Sequence, residues 1–214
     1  MARTVDTKKR LDLAYQAFEV VVRKGLLRTT LTEVARELEM KRTTLYWYFQ
    51  SIGQIVIEVL QDIEAQEKAH MDDVLEGVED VVDILLAKLH GYYAFYREKE
   101  LFLTLVFQLD GDDLEPGIQA YMEQSKQKLM SEREEIAKLL QEGVQAGALH
   151  PHHSEQLSDA TLSYILGVLL HGLDVPIDGH ALIDLFAQGL ILPLRVKEHG
   201  SPTTLRRKKK RSNT

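Results

Sequence analysis

Lys41-Arg42-Thr43-Thr44-Leu45-Tyr46-Trp47-Tyr48-Phe49 sets two cations and two hydroxyls ahead of an aromatic run. At the start of a short helix, such groups reach phosphates, guanine edges and thymine methyls when the helix enters a major groove. Helical spacing turns Lys41, Arg42, Thr44 and Trp47 away from Leu45, Tyr48 and Phe49, so one set is free to read and the other to anchor. A second concentration of chemistry is His150-Pro151-His152-His153, because imidazoles ligate zinc, nickel or copper. Adjacent histidines in a loop seldom converge on one ion, and a polar turn between helices is the simpler reading. The chain has no cysteine, which removes disulfides, thiol nucleophiles and cysteine-ligated metals. No paired-carboxylate, phosphate-loop, nucleophile-elbow or HExxH pattern occurs, so the expectation is a protein that is not an enzyme and needs no cofactor. A helical metal-dependent enzyme built on His150, His152 and His153 stays open as a distant alternative.

The elements that must position the cationic run are helical. Leu11, Ala14, Phe18, Val21 and Val22 recur at three- and four-residue spacing over Thr7–Lys24 and Gly25 ends the stripe. Thr30 followed by Glu33 is a capping-box pair, and Leu31, Val34, Ala35 and Leu38 make a second short helix over 31–38. The cationic run then opens a third, very short helix, with Leu45 and Phe49 placed to pack on Phe18, Val34, Ala35 and Leu38. Two short helices joined by a tight turn form a helix-turn-helix. The rest reads as helices over 52–70, 74–97, 100–109, 116–146, 154–173 and 180–196, with no strand ladder and no repeat.

Charge is segregated along the 214 residues. Positions 1–50 sum to +4, positions 51–199 to −17, and the last fifteen residues to +6. A basic end on an acidic body suits an anionic polymer at that end, although acidic helices also serve solubility alone. The start of the chain carries no apolar stretch and no later run is long enough to span a bilayer, from which a cytoplasmic home without membrane contact is expected.

The order Thr30-x-x-x-Val34-Ala35, then Met40 through Ser51, resembles the TetR/AcrR family, whose pattern has the form T-x-x-x-[IV]-A, a turn, and S-x-G-T-L-Y-x-[YH]-F-x-S-K. Lys41, Thr43 and Ile52 depart from it, standing where serine, glycine and lysine are usual. The resemblance implies an all-α fold: a three-helix DNA-binding domain over 1–52, a larger helical ligand-binding and dimerisation domain over 53–199, and then a disordered basic tail over 200–214. It implies a homodimeric regulator, usually a repressor, that binds an inverted-repeat operator in double-stranded DNA and is released by a small-molecule inducer. An activator or a ligand-independent regulator of the same fold is the nearest alternative. Candidate DNA contacts are Thr30, Lys41, Arg42, Thr43, Thr44, Tyr46, Trp47 and Tyr48.

In the acidic body, Leu89, Tyr92, Tyr93, Tyr96, Phe102, Phe107, Tyr121 and Met122 form an aromatic-rich set suited to a lipophilic pocket, or equally to ordinary core. The last two helices mix small residues with Leu162, Ile165, Leu166, Leu169, Leu170, Ile183 and Leu190, which the resemblance assigns to the dimer interface. The 206–211 block of like charge could touch phosphates, act as a localisation patch or remain solvated.

Overall fold

The computed structural model describes residues 6–109 and 114–196, with Phe107 and Gln108 described by backbone alone. The basic tail, the 111–113 loop and the side chain of Phe107 therefore lie outside the described residues. Within them the chain is helical: α1 (Thr7–Lys24), α2 (Leu31–Glu37), α3 (Arg42–Tyr48), α4 (Ile52–Leu75), α5 (Val81–Tyr96), α6 (Glu100–Gln108), α7 (Pro116–Gln145), α8 (Ser154–Asp174) and α9 (Gly179–Phe186). None of these helices is long and apolar enough to cross a membrane.

Local chemistry sets the early boundaries. The Asp6 carboxylate accepts from the backbone of Lys8 and Lys9 at 3.1 and 3.3 Å, and Gly25, at φ +92°, turns the chain out of α1. The Thr30–Glu33 capping box forms in both directions. Between α2 and α3, Glu39 takes a positive φ of 52°, and the Met40 amide donates to the Ala35 carbonyl at 2.8 Å. This αL closure stops α2 within one turn and tips α3 across it.

Two cores follow. The first gathers Ala14, Ala17, Phe18, Val21, Val34, Ala35, Leu45 and Phe49 around Ile55, Val56, Val59 and Leu60 of α4, and continues through Leu105 to Ile118 and Tyr121 of α7. The second packs Leu85 and Leu89 of α5 with Ile136, Leu140, Ile165, Leu169 and Ile183. Tyr96 and Phe102 pack against both. The first core thus runs past residue 52, because α4 serves as a wall of the three-helix unit and as a strut of the body.

Two boundaries differ from the sequence reading. Helix α4 runs on to Leu75 and α5 starts only at Val81: Gly77 is left-handed at φ +73°, and Asp80 caps α5 by accepting from Val82 and Asp83 at 2.9 and 3.0 Å. The apolar periodicity of 74–80 therefore yields to a turn. The helix expected over 180–196 ends at Phe186 and continues as a π-turn over Ala187–Ile191 and a 3₁₀ turn over Leu192–Leu194, where Pro193 removes an amide donor. This end is tied back by the His150 amide to the Leu194 carbonyl at 2.7 Å and the Val196 amide to Ala148 at 2.9 Å.

Candidate nucleic-acid interface and ligand cavity

Helix α3 is held by what it hides. Leu45 and Phe49 are fully buried, while Lys41, Arg42, Thr43, Thr44, Tyr46 and Trp47 are exposed and Tyr48 is half-buried. Leaving Tyr46 and Trp47 at 39 % and 47 % exposure is costly unless a partner covers them. The Arg42 guanidinium lies 4.9 Å from the Tyr46 ring centroid and donates to its hydroxyl at 3.3 Å, which fixes the two as one planar, cationic unit. Hydrogen bonds from Thr32 and then Arg42 lower the Tyr46 pKa below the usual phenol value. Trp47 stands edge-on to Tyr48 at 4.7 Å. Thr30 is exposed beside this surface, but its hydroxyl is engaged with Glu33. Lys41 is the N-cap residue of α3 and its side chain, which has no acceptor for the free amides of the helix start, is exposed.

Helix α3 is also fixed from behind. Arg10 lies over the Phe49 ring at 5.1 Å and pairs with Glu58 of α4 at 2.6 Å, while the Tyr15 hydroxyl donates to Asp62 at 2.7 Å. Burial and Asp62 together raise the Tyr15 pKa to about 12. The other face of the same helix, through Leu60, Glu64 and Glu67, lines a cavity of about 400 Å³. Helix α4 also receives α7 at its start: the Gly53 amide donates to Glu115 at 3.1 Å, and a Cβ on Gly53 would overlap that carboxylate. Glu64 lies about 18 Å along α4 from Ile52, so one rigid rod joins cavity to α3.

The cavity is lined by residues of α4 to α8 and is largely apolar. Tyr92, Tyr96, Phe102, Tyr121 and Met122, five of the eight residues proposed from sequence, border it. Leu89 sits instead in the second core, and Tyr93 borders a separate depression with Arg97 and Ile177 while its hydroxyl accepts from the Gly179 amide at 3.2 Å. Tyr92 and Tyr96, one turn apart, share the row of α5 that faces the cavity, whereas Leu89 and Tyr93 lie on the adjoining row, in the second core, where Tyr93 meets the start of α9. Sequence reasoning missed the carboxylates. Glu64 accepts from the Tyr121 hydroxyl at 2.7 Å, Glu67 accepts a short bond from Tyr96, and Glu132 pairs with Lys88 at 2.7 Å. Burial first, and then these carboxylates, raise the pKa of Tyr92, Tyr96 and Tyr121 well above the phenol value. The tyrosines are thus neutral donors.

The proposed dimer residues divide. Ile165, Leu169 and Ile183 are buried in the subunit's own second core, the first two also bordering the cavity. Leu162 and Leu170 are half-buried, whereas Leu166 and Leu190 are exposed together with Val175 and Leu185, which reaches 65 %. A Cβ added to Gly167 or Gly189 would meet nothing in this subunit. At the histidine loop, the His152 ring nitrogen Nδ1 contacts its neighbour's carbonyl, that of His150, at 2.8 Å. Among the described residues no three His, Asp or Glu side chains are grouped to hold a metal.

The sequence profile of the bacterial regulatory proteins of the tetR family matches residues 15–59, which run from α1 into α4. No curated relative matches the sequence. Among solved structures, the ketosteroid transcriptional regulator KstR2 of Mycobacterium tuberculosis superposes with a TM-score of 0.69 at 15% identity, over 91% of this chain and 98% of that one. NalD, the secondary repressor of the MexAB-OprM multidrug efflux pump in Pseudomonas aeruginosa, gives 0.66 at 18%, over 89% and 98%. A Saccharomonospora viridis chain assigned as a transcriptional regulator, solved in complex with choline, gives 0.67 at 16%, over 86% and 97%. These likenesses show a shared fold over nearly the whole length. The profile match falls on the helix-turn-helix itself, so residues 15–59 resemble the DNA-binding unit of the tetR-family regulators, and the chain as a whole shares the fold of these solved structures.

Proposed function

We propose that this protein is a cytoplasmic homodimeric repressor that binds an inverted-repeat operator through the exposed face of α3 and leaves it when a small molecule fills the cavity of the body. The observation that carries the reading is the division of α3: Leu45 is sequestered while Lys41, Arg42, Tyr46 and Trp47 are presented. Domain roles follow the same division, with α1 to α3 and the start of α4 reading DNA and the remainder sensing and dimerising.

A second copy is the partner suited to the exposed leucines and open glycines of α8 and α9. Two reading helices would then meet half-sites centred ~34–36 Å apart, or multiples of that spacing. Leu166 borders both the cavity and this surface, so an occupant that moves α8 also moves the seam between subunits. For release, the occupant must prefer the non-binding shape: reversing a 99:1 equilibrium takes ~5.5 kcal/mol of differential affinity. That a Saccharomonospora viridis protein of this fold was solved in complex with choline is in keeping with a small-molecule ligand here.

The test is selection of bound genomic fragments followed by footprinting. A protected inverted repeat, lost in Arg42→Ala and Tyr46→Ala at a cost of about 1–3 kcal/mol each while melting is unchanged, is expected. Unchanged binding in both variants would remove α3 as the reading surface. Leu185→Glu is expected to yield monomers in sedimentation equilibrium, and reporter expression in a deletion strain gives the sign of regulation.

A further inference from the structure

The cavity combines three features that together restrict its occupant. Its walls are mainly hydrocarbon and aromatic, from Phe102 and Tyr96, stacked at 5.3 Å, to the leucines of α8. Among the described residues, three carboxylates border it, those of Glu64, Glu67 and Glu132, against a single lining cation, Lys128. The bonds already made do not cancel this imbalance. Lys88 neutralises Glu132 at 2.7 Å, but Lys128 stands 4.0 Å from Glu67 with half its side chain in solvent, where screening weakens the pair. Glu64 is held by a neutral phenol, and no described cation pairs with it. The Glu67 side chain is only 13 % exposed.

An anionic ligand group would enter against this charge with no guanidinium on the lining, among the described residues, to receive it. A neutral ligand would strip water from Glu64 and Glu67 and return no charge, which is costly in an apolar site. A cation offsets that desolvation, and the faces of Tyr92, Tyr96, Phe102 and Tyr121 attract it further. The Tyr96 and Tyr121 hydroxyls already donate to the carboxylates and so fix their positions on the cavity wall.

We propose that the cavity takes a lipophilic organic cation, an amine or quaternary ammonium seated between Glu64 and Glu67 with its hydrocarbon arm against α8. This rests on the reading of the cavity as the effector site. The test uses three decyl probes that differ only in the head group, decyltrimethylammonium, decanol and decanoate, titrated calorimetrically below their aggregation concentrations into the full chain. Decyltrimethylammonium is expected to bind about tenfold more tightly than the other two, and Glu67→Gln to remove most of that advantage without weakening decanol. Lys128→Gln, on the exposed rim, provides a variant independent of any folding defect at Glu67 and is expected to strengthen cation binding about twofold. Equal affinity for the three probes, tighter decanoate binding, or weaker cation binding in Lys128→Gln overturns the charge assignment while leaving a cavity that binds. Binding of none overturns this inference and the cavity reading together. Cation binding that fails to release the protein from its selected DNA upholds the ligand class and removes the effector role.

Discussion

The helix-turn-helix unit and the larger body are both helical, but they use their side chains in opposite senses. Around α3 the core is apolar and the candidate contact groups point out: Leu45 and Phe49 are buried while Arg42, Tyr46 and Trp47 stay exposed. In the body the chemistry points inward, with Glu64, Glu67 and Glu132 and their tyrosine donors turned to a cavity among five helices. An outward site tolerates exchange of individual contacts, since solvent replaces what is lost. An inward one does not, because each buried polar group depends on its neighbour.

The sharpest way to break this contrast is at the dry anchor. Phe49→Ala is expected to cost about 3–5 kcal/mol in chemical denaturation and to abolish DNA binding, since it opens the space under α3 and removes the ring beneath Arg10. Preserved DNA binding would mean that α3 is not held from this core.

The inward site is sharpened by alkali. The folded pKa values of Tyr92, Tyr96 and Tyr121 lie above the unfolded value of ~10. Their contribution to stability is therefore complete below that pH and declines as pH rises past it. Spectroscopic titration is expected to show exposed tyrosines ionising first and these three only as helicity is lost. Their early ionisation with helicity intact would contradict a closed cavity.

The link between the regions is a smaller effect. Glu115→Ala, which frees the Gly53 amide, is expected to cost about 1 kcal/mol in stability and to weaken the dependence of DNA affinity on ligand while ligand affinity without DNA stays the same. Unaltered coupling would place communication elsewhere than the α7–α4 junction. The smallest effect belongs to the turn between α2 and α3, where Glu39→Gly relieves a left-handed residue and is expected to raise stability by about 1 kcal/mol in thermal melts. A decrease would show that the Glu39 side chain makes a compensating contact.

The reading unit was legible because its signals are local. Gly25, the Thr30–Glu33 box and the alternation of Leu45 and Phe49 with the cations each act within about one or two helical turns. Legibility fell with sequence distance. Asp80 looked like one more acid in a continuous helix until its cap on α5 and its tie to Arg195, 115 positions away, appeared. Tyr92, Tyr93 and Tyr96 were one aromatic set in the sequence, yet Tyr93 turned to α9 and only the other two to the cavity. Ile165, Leu169 and Ile183 carried the same apolar signature as Leu166 and Leu190, and packing sorted them into core and surface.

What the sequence determined by itself was the helical class and the helix-turn-helix that matches the tetR-family profile, because caps, turns and apolar periods are set by residues within a few positions of each other. Which carboxylates share a cavity, which aromatics border it and which leucines remain exposed were decided only by the tertiary structure. Those facts depend on the relative placement of α4 to α9, which arises from burying two cores at once and is encoded in no single stretch of chain.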